Sequence, residues 1–296
     1  DGSPDAPPEI LRRWLGKEMP GRVIGNRRVG IGRALALLVG AADSELLARA
    51  DADDINEPHR LSRQAEFLTE HRKVGVLGAQ MRNLETGQAM TDHPTADADI
   101  RWALRFTNPI NHPTVMLRRS AVLEVGNYRD LRPGQDYDLW VRLAMICRFA
   151  NLPEPQVRYR VHTESVSEPQ RADHGASFYQ LRDSLVDRLL PGMEPSAAVR
   201  LLHLVKDTED LHVTEEDLRR FRMSAMLAAK ACRYDPTYFM QTAQFKQQET
   251  NLRTRHLKGK PVIRACMPLL RSAKGLAMKL NHKQDKNTLQ NPEKAA

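Results

Sequence analysis

Only three cysteines occur in the 296 residues, Cys147, Cys232 and Cys266. They are odd in number, far apart and without metal-ligand spacing, which argues against both a disulfide framework and a thiolate metal site. Long apolar runs are also missing. The longest, Ala34 to Ala42 and Val262 to Leu280, are too short or too interrupted by charge and proline to span a bilayer, so no transmembrane helix is expected. The opening Asp1-Gly2-Ser3-Pro4-Asp5 has neither an initiator Met nor a basic stretch leading into an apolar one. It does not read as a signal peptide, and the expected location is cytoplasmic. Most of the chain lacks net charge as well. Of the total +8, residues 253 to 296 supply +9, from 11 Lys/Arg against Asp285 and Glu293, leaving −1 elsewhere. A uniformly basic protein would suggest nucleic acid; a neutral body with a basic tail points to local contact with an anionic surface, and no nucleic-acid partner is expected.

Up to about Ser167 the chain alternates short apolar runs with helix-like stretches and turn residues, the pattern of an α/β domain. Ser44 to Ala50 reads as a strand leading into Asp51-Ala52-Asp53-Asp54, and Lys73 to Ala79 as a second strand after a helix-like segment from Pro58 to Glu70. The acidic run therefore lies where a strand ends, the place at which open α/β sheets bind ligands. From 168 to 252 apolar residues recur at helical spacing in Phe178 to Leu190, Ala197 to Val205, Leu218 to Ala231 and Tyr238 to Phe245. Thr214-Glu215-Glu216-Asp217 offers a hydroxyl cap followed by first-turn acids. Residues 253 to 296 form a basic tail with a polar end.

Asp51, Asp53 and Asp54 crowd three carboxylates into four positions, an arrangement that needs a cation or hydrogen-bond donors. Hard oxygen ligands favour Mg2+ or Mn2+, and magnesium takes only one or two protein carboxylates, which suits a short acidic loop. A solvated turn capping the following helix accounts for the same run when it is read alone.

Further segments fall in order around this loop. Before it stand Asp1-Gly2-Ser3-Pro4-Asp5 and Asn26 with Gly30-Ile31-Gly32-Arg33-Ala34-Leu35. The loop itself sits in Leu47-Ala48-Arg49-Ala50-Asp51-Ala52-Asp53-Asp54-Ile55, followed by Pro58, Arg60-Leu61 and Gln64. After it come Asn108-Pro109-Ile110-Asn111-His112-Pro113-Thr114-Val115-Met116, Gly126-Asn127-Tyr128-Arg129 and Gln135-Asp136-Tyr137-Asp138-Leu139-Trp140-Val141-Arg142-Leu143. Asn151-Leu152-Pro153 and Tyr159-Arg160-Val161-His162 close the series. Over residues 1 to 167 this resembles the family-2 glycosyltransferases of the GT-A fold, especially those that build bacterial exopolysaccharides and O-antigens.

The resemblance implies a Rossmann-like GT-A sheet and an inverting transfer of a sugar from a nucleoside diphosphate, commonly uridine diphosphate, to the hydroxyl of a glycan or lipid-linked acceptor. Asp136 occupies the position of the general base, preceded by Gln135 where the family usually has Glu. Asp53 and Asp54, with His162, fall at the metal and diphosphate positions of the DxD motif. Asp1, Asp51 and Arg160 fall on the donor side, where the guanidinium of Arg160 would pair with phosphate oxygens. Gly30 and Gly32 either bring backbone amides to the nucleotide or simply make a turn. His112 reads either as a contact to donor sugar or acceptor or as an ordered-loop residue. Asp138, two positions after Asp136 on a helix, would point away from it into a structural or solvent-facing role.

The family's fold begins with strands ahead of the Asp-Gly-Ser segment, so the sheet is expected to lack its first strands and to leave an unpaired edge. An alternative reading follows, a truncated and inactive relative acting as a binding module. In the tail, Leu269, Leu270, Ala273, Leu276, Ala277 and Leu280 fall at helical spacing beside Arg264, Arg271, Lys274 and Lys279. Residues 261 to 280 thus read either as a basic amphipathic helix for an anionic membrane surface or as a helix docking on the body.

Overall fold

A computed structural model of the chain describes residues 7–15, 20–24, 28–131, 134–161, 180–206 and 212–259. Asp1, Asn26, His162 and the 261–280 segment lie outside these residues.

After a short helix α1 (Pro7–Trp14), the α/β part runs α2 (Ile31–Ala41), β1 (Leu46–Ala48), β2 (Ile55–Asn56), α3 (Arg60–Glu70), β3 (Val74–Asn83), α4 (Asp97–Ala103), β4 (Met116–Arg118), α5 (Arg119–Glu124), α6 (Gln135–Leu143) and β5 (Arg148–Tyr159). The strands form one sheet in the order β1-β4-β3-β5-β2. The sheet is mixed rather than parallel: only β3 and β5 pair in parallel, and β4 runs antiparallel to both β1 and β3. The reason lies in the route of the chain. The segment Asn108 to Val115 is tied to the middle of β3, because Asn111 Nδ2 donates to the Ala79 carbonyl at 2.9 Å and the Ala79 amide to Thr114 Oγ1 at 2.9 Å. From there β4 runs back towards the start of β3, Met116 opposite Leu77 and Leu117 opposite Val76. At the other flank β5 carries Pro153 and Pro155 where its register with β3 shifts. Proline is tolerated there because β2 pairs only with Val157 and Arg158, leaving the earlier part of β5 without a ladder partner on that side. β1 has β4 as its one strand partner among the described residues.

The helical region follows the expected pattern with two exceptions. Within Phe178 to Leu190, described from residue 180, a turn at Leu185 precedes the short helix Val186–Leu189. The helices Pro195–Lys206 and Glu215–Ala231 form where the periodicity places them. Thr214 caps the second in a reciprocal box, its Oγ1 accepting from the Asp217 amide at 3.1 Å and its own amide donating to Asp217 Oδ2 at 2.8 Å. The run Tyr238 to Phe245 is not one helix. A 3-10 turn over Phe239–Gln241 ends at Thr242, whose Oγ1 accepts from the Phe245 amide at 3.1 Å and starts the helix Ala243–Gly259. A hydroxyl at a position that can cap outweighs continuous apolar spacing.

One core joins the two regions. Trp102 of α4 is fully buried among Phe106, Phe221, Phe239 and Phe245, with ring centroids 5.2 to 5.8 Å away, and its Nε1 donates to Gln248 Oε1 at 2.7 Å. Asp97 accepts the Phe149 amide at 2.8 Å and the hydroxyl of Tyr238 at 2.9 Å, tying α4 to β5 and to the helical region. The change of character near Ser167 is therefore a change of element type within a shared core. α6 is buried along almost its whole length, including the ion pair of Asp138 with Arg142 at 2.6 Å. Asp138 is thus structural and not solvent-facing.

Candidate active site

β1 ends at Ala48, and the next six residues build the acidic loop. Arg49 grips Asp51 with both guanidinium nitrogens, Nη1 to Oδ2 at 2.8 Å and Nη2 to Oδ1 at 2.6 Å. Arg160, just past the end of β5, holds the rest: its amide donates to Asp54 Oδ1 at 2.9 Å and its Nε to the Asp53 carbonyl at 3.1 Å. Burial pushes the Asp54 carboxyl above its ordinary range, and the charges of Asp51 and Asp53 add to the effect. Its second oxygen, Oδ2, is buried with no hydrogen-bond partner.

Beneath the loop lies Arg60, 1% exposed. Its Nη2 donates to the Arg49 carbonyl at 2.7 Å and to the Val115 carbonyl at 3.2 Å, its Nε to Gln64 Oε1 at 3.0 Å, and its Nη1 to Asn56. One guanidinium thereby fixes the exit of β1 to the entry of β4. Burial lowers its pKa to about 10, so it stays charged at neutral pH.

Asp136 stands in the first turn of α6, where the exposed amides and the helix dipole favour a carboxylate. The helix can start there because Gly134, at φ 103°, turns the chain in a conformation that L side chains rarely adopt, and a Cβ on it would meet Leu181 Cδ2 at 2.3 Å. Burial raises the pKa of Asp136, partly offset by the Tyr137 amide and by Asn108, whose Nδ2 donates to Asp136 Oδ2 at 2.8 Å. The result is a carboxylate more basic than an exposed one and fixed in direction.

Arg49 connects the two acidic groups electrostatically, because its charge acts on Asp54, Asp136, His112 and Tyr128 alike. His112 Nε2 lies 2.9 Å from the Tyr128 hydroxyl, and burial drives the imidazole well below its usual pKa, so it is neutral. Alongside, α2 and β1 enclose a cavity of about 660 Å³ whose mainly apolar walls include Leu35, Leu38 and Leu47 and which reaches Arg49, Asp51 and Tyr128.

The structure thus gathers Asp51, Asp53, Asp54 and Arg160 into one loop cluster and places Asp136 and His112 within reach of the same Arg49 charge. Gln135 is the half-buried first residue of α6. Gly30 caps α2 at φ 89°. Gly32 is accounted for by packing, since a Cβ there would lie 2.3 Å from the Arg129 carbonyl oxygen. The sequence assigned no role to Arg49, Asn108 or Tyr128, although each stands within a motif segment. A cation immediately before an acidic run was the signal for Arg49.

Among the described residues no group of three or more His, Cys, Asp or Glu side chains is placed to hold a metal ion. A divalent cation nonetheless suits the loop, because Arg49 occupies Asp51 while Asp54 keeps a buried oxygen without a donor. Two carboxylates, Asp53 and Asp54, are what a hydrated magnesium ion shared with a ligand's phosphates requires of a protein.

Comparison with known proteins finds similarity to glycosyltransferases. Residues 1–126 match the Glycosyl transferase family 2 profile. The chain is 28% identical over 158 residues to the amylovoran biosynthesis glycosyltransferase AmsE of Erwinia amylovora, covering 52% of this chain and 59% of that protein. It is 29% identical over 163 residues to the O-antigen biosynthesis glycosyltransferase WbnJ of Escherichia coli, covering 53% of this chain and 63% of that protein. The chain therefore spans about 60% of the length of these relatives. The crystal structure of S. aureus TarS 1-349 in complex with UDP-GlcNAc superposes with a TM-score of 0.51 at 16% identity, covering 87% of this chain and 80% of that one. The first 126 residues are thus similar to the Glycosyl transferase family 2 domain, and the fold resembles that of TarS.

Proposed function

We propose that the protein is an inverting glycosyltransferase that moves a sugar from a nucleoside diphosphate, a uridine diphosphate donor in the first instance, to the hydroxyl of a glycan or lipid-linked acceptor in cell-surface polysaccharide or lipopolysaccharide synthesis. The observation that carries this reading is an acidic loop held by Arg49 and Arg160 together with a half-buried Asp136 oriented by Asn108, both within the field of the Arg49 charge. The names of the relatives, one in amylovoran and one in O-antigen synthesis, support the substrate class.

In this reading Asp136 takes the proton from the acceptor hydroxyl as the oxygen attacks the anomeric carbon. Its raised pKa makes it a stronger base, and Asn108 holds Oδ2 so that the other oxygen can face the acceptor. Asp53 and Asp54 hold a divalent cation, Mg2+ or Mn2+, with His162 as a further contact from outside the described residues. When bound, the ion supplies Lewis-acid stabilisation of the leaving diphosphate. Arg160 keeps the loop in shape through its amide and Nε, and the remaining guanidinium nitrogens are available to phosphate oxygens. Arg49 orients Asp51 and lowers the cost of crowding carboxylates. The apolar cavity between α2 and β1 is the adjoining space for the nucleoside or acceptor.

No helix among the described residues is long and apolar enough to cross a membrane. We place the protein at the cytoplasmic face of the membrane through the basic 261–280 segment.

The test is release of nucleoside diphosphate from a panel of nucleotide sugars with Mg2+ or Mn2+. Metal-dependent turnover abolished by Asp136→Asn and by Asp53→Asn supports both roles; absence of metal-dependent donor binding favours the binding-module alternative.

A further inference from the structure

A second pocket, of about 380 Å³, opens at the other end of the sheet. β1 and β3 run the same way, each antiparallel to β4, so the acidic loop follows the carboxyl end of β1 while this pocket surrounds the amino end of β3 at Lys73 and Gly75. Arg148 at the start of β5, Arg118 at the end of β4, Arg101 of α4 and Arg72 line it with Lys73, and no carboxylate among the described residues lines it.

The nearby acids are already engaged. Glu45 accepts from Arg118 Nη1 at 2.9 Å, and Asp97 accepts from the Phe149 amide and the Tyr238 hydroxyl. Arg72, Lys73 and Arg148 are exposed and have no salt-bridge partner among the described residues. Arg101 is 4% exposed, and its contacts are with the Cys147 carbonyl at 2.9 Å, the Ala144 carbonyl, the Cys232 side chain and the Tyr234 ring at 5.2 Å. Its Nε is buried with no hydrogen-bond partner among the described residues. The Cys147 thiol offers no compensating charge, since burial pushes it up to about 12.

Glu45 on Arg118 and Asp97 near Arg101 offset only part of this charge, so five cations leave a local excess that is unfavourable in the isolated protein and that a multiply charged oxyanion reverses. Guanidinium forks match phosphate oxygens in geometry as well as charge. Beside the cations, Met145 and Ile146 are 45% and 43% exposed, which gives an anion's apolar substituent a surface to lie on.

We propose that the pocket formed by Arg72, Lys73, Arg101 and Arg148 at the amino end of β3 is a binding site for a phosphate group, separate from the candidate active site. The phosphate comes either free in solution or as the headgroup of an anionic lipid, and the two sources are separated by experiment. The site is independent of the glycosyltransferase reading.

The test uses the whole chain at low ionic strength in EDTA, which disables metal-dependent binding at the acidic loop. Calorimetric titration with inorganic phosphate is the first arm, and co-sedimentation with phosphatidylglycerol vesicles against phosphatidylcholine vesicles is the second. The double variant R72Q/R148Q changes two exposed side chains, and an unchanged melting midpoint shows that it is folded; Lys73→Gln serves as an independent variant. Saturable phosphate binding at one site per chain, weakened tenfold or more by R72Q/R148Q and less by Lys73→Gln, supports a free phosphate ligand. Vesicle binding with the same dependence, without phosphate binding, supports a lipid headgroup. Absence of binding in both arms overturns the proposal, and so does binding that both variants leave unchanged, which locates the anion elsewhere on the chain.

Discussion

Asn108→Ala isolates the positioning of the proposed base from its chemistry. The native amide donates one hydrogen bond, at 2.8 Å, to Asp136 Oδ2 and favours the ionised carboxylate against the burial that disfavours it. A hydrogen bond to a charged group is worth about 1.5 to 3 kcal/mol. Its loss lowers the equilibrium constant for ionisation by roughly ten- to a hundredfold, since each ~1.4 kcal/mol is a factor of ten. The sign follows from the direction of the native shift. A base with a raised pKa is active above that pKa and loses activity as the pH falls through it, so the acid limb of the wild-type rate profile lies above the ordinary carboxylate range. In Asn108→Ala the limb moves further up. On its acid side kcat/KM falls by about ten- to a hundredfold, whereas the alkaline plateau stays within a few-fold of wild type. The assay is nucleoside diphosphate release from a nucleotide sugar across pH 5 to 9 at saturating metal. An acid limb that does not move, with a uniform loss at every pH, would falsify the assignment of Asp136 as a base held by Asn108.

Four more outcomes follow from other parts of the structure. Asp54→Asn should abolish metal-dependent turnover while raising the melting temperature of the metal-free protein. The native carboxyl is shifted upward by burial, so its ionisation opposes folding at neutral pH, and the gain should disappear below the ordinary carboxylate range, as thermal melts at pH 7 and pH 3 will show. Asp217 behaves in the opposite sense: burial pushes its carboxyl up, but Arg200 and Thr214 outweigh this and hold it at about 2, so its contribution is present at neutral pH and lost on acidification towards 2, and Asp217→Asn should flatten that part of the stability profile. Gly134→Ala forces a side chain into positive φ against Leu181 and should cost about 1 to 2 kcal/mol in denaturant melts, with kcat falling more than stability because α6 carries Asp136. Trp102→Ala should cost about 3 to 5 kcal/mol, and its melt should remain a single transition, because one core joins the sheet to the helices; two separate transitions would contradict the shared core.

Much of the site was legible because its motifs are local. The acidic run at the end of β1, the helix start at Gln135-Asp136 and the capping box at Thr214 depend on neighbours within a few positions, which a sequence displays directly. Arg60 and Gln64 were visible as motif letters, but their work was not. Arg60 reaches back to the Arg49 carbonyl and Gln64 across to the Thr114 carbonyl at 2.8 Å, contacts that exist only after β1, α3 and β4 have packed. The break at Thr242 was hidden for the related reason that apolar spacing persists through a capping hydroxyl.

The sequence by itself showed the glycosyltransferase resemblance and the elements around the acidic loop, because strand-to-loop and helix-start signals are written in short stretches, and the resemblance proposed Asp136 as the base. Tertiary structure alone decided that the sheet is mixed, that Asp138 is buried against Arg142, that Gly32 serves close packing and that the charge of Arg49 is felt at both Asp54 and Asp136. It also decided that five cations from four separated segments meet at the amino end of β3. Such features are fixed by which distant surfaces are buried together, and long-range burial leaves no periodic mark on the chain.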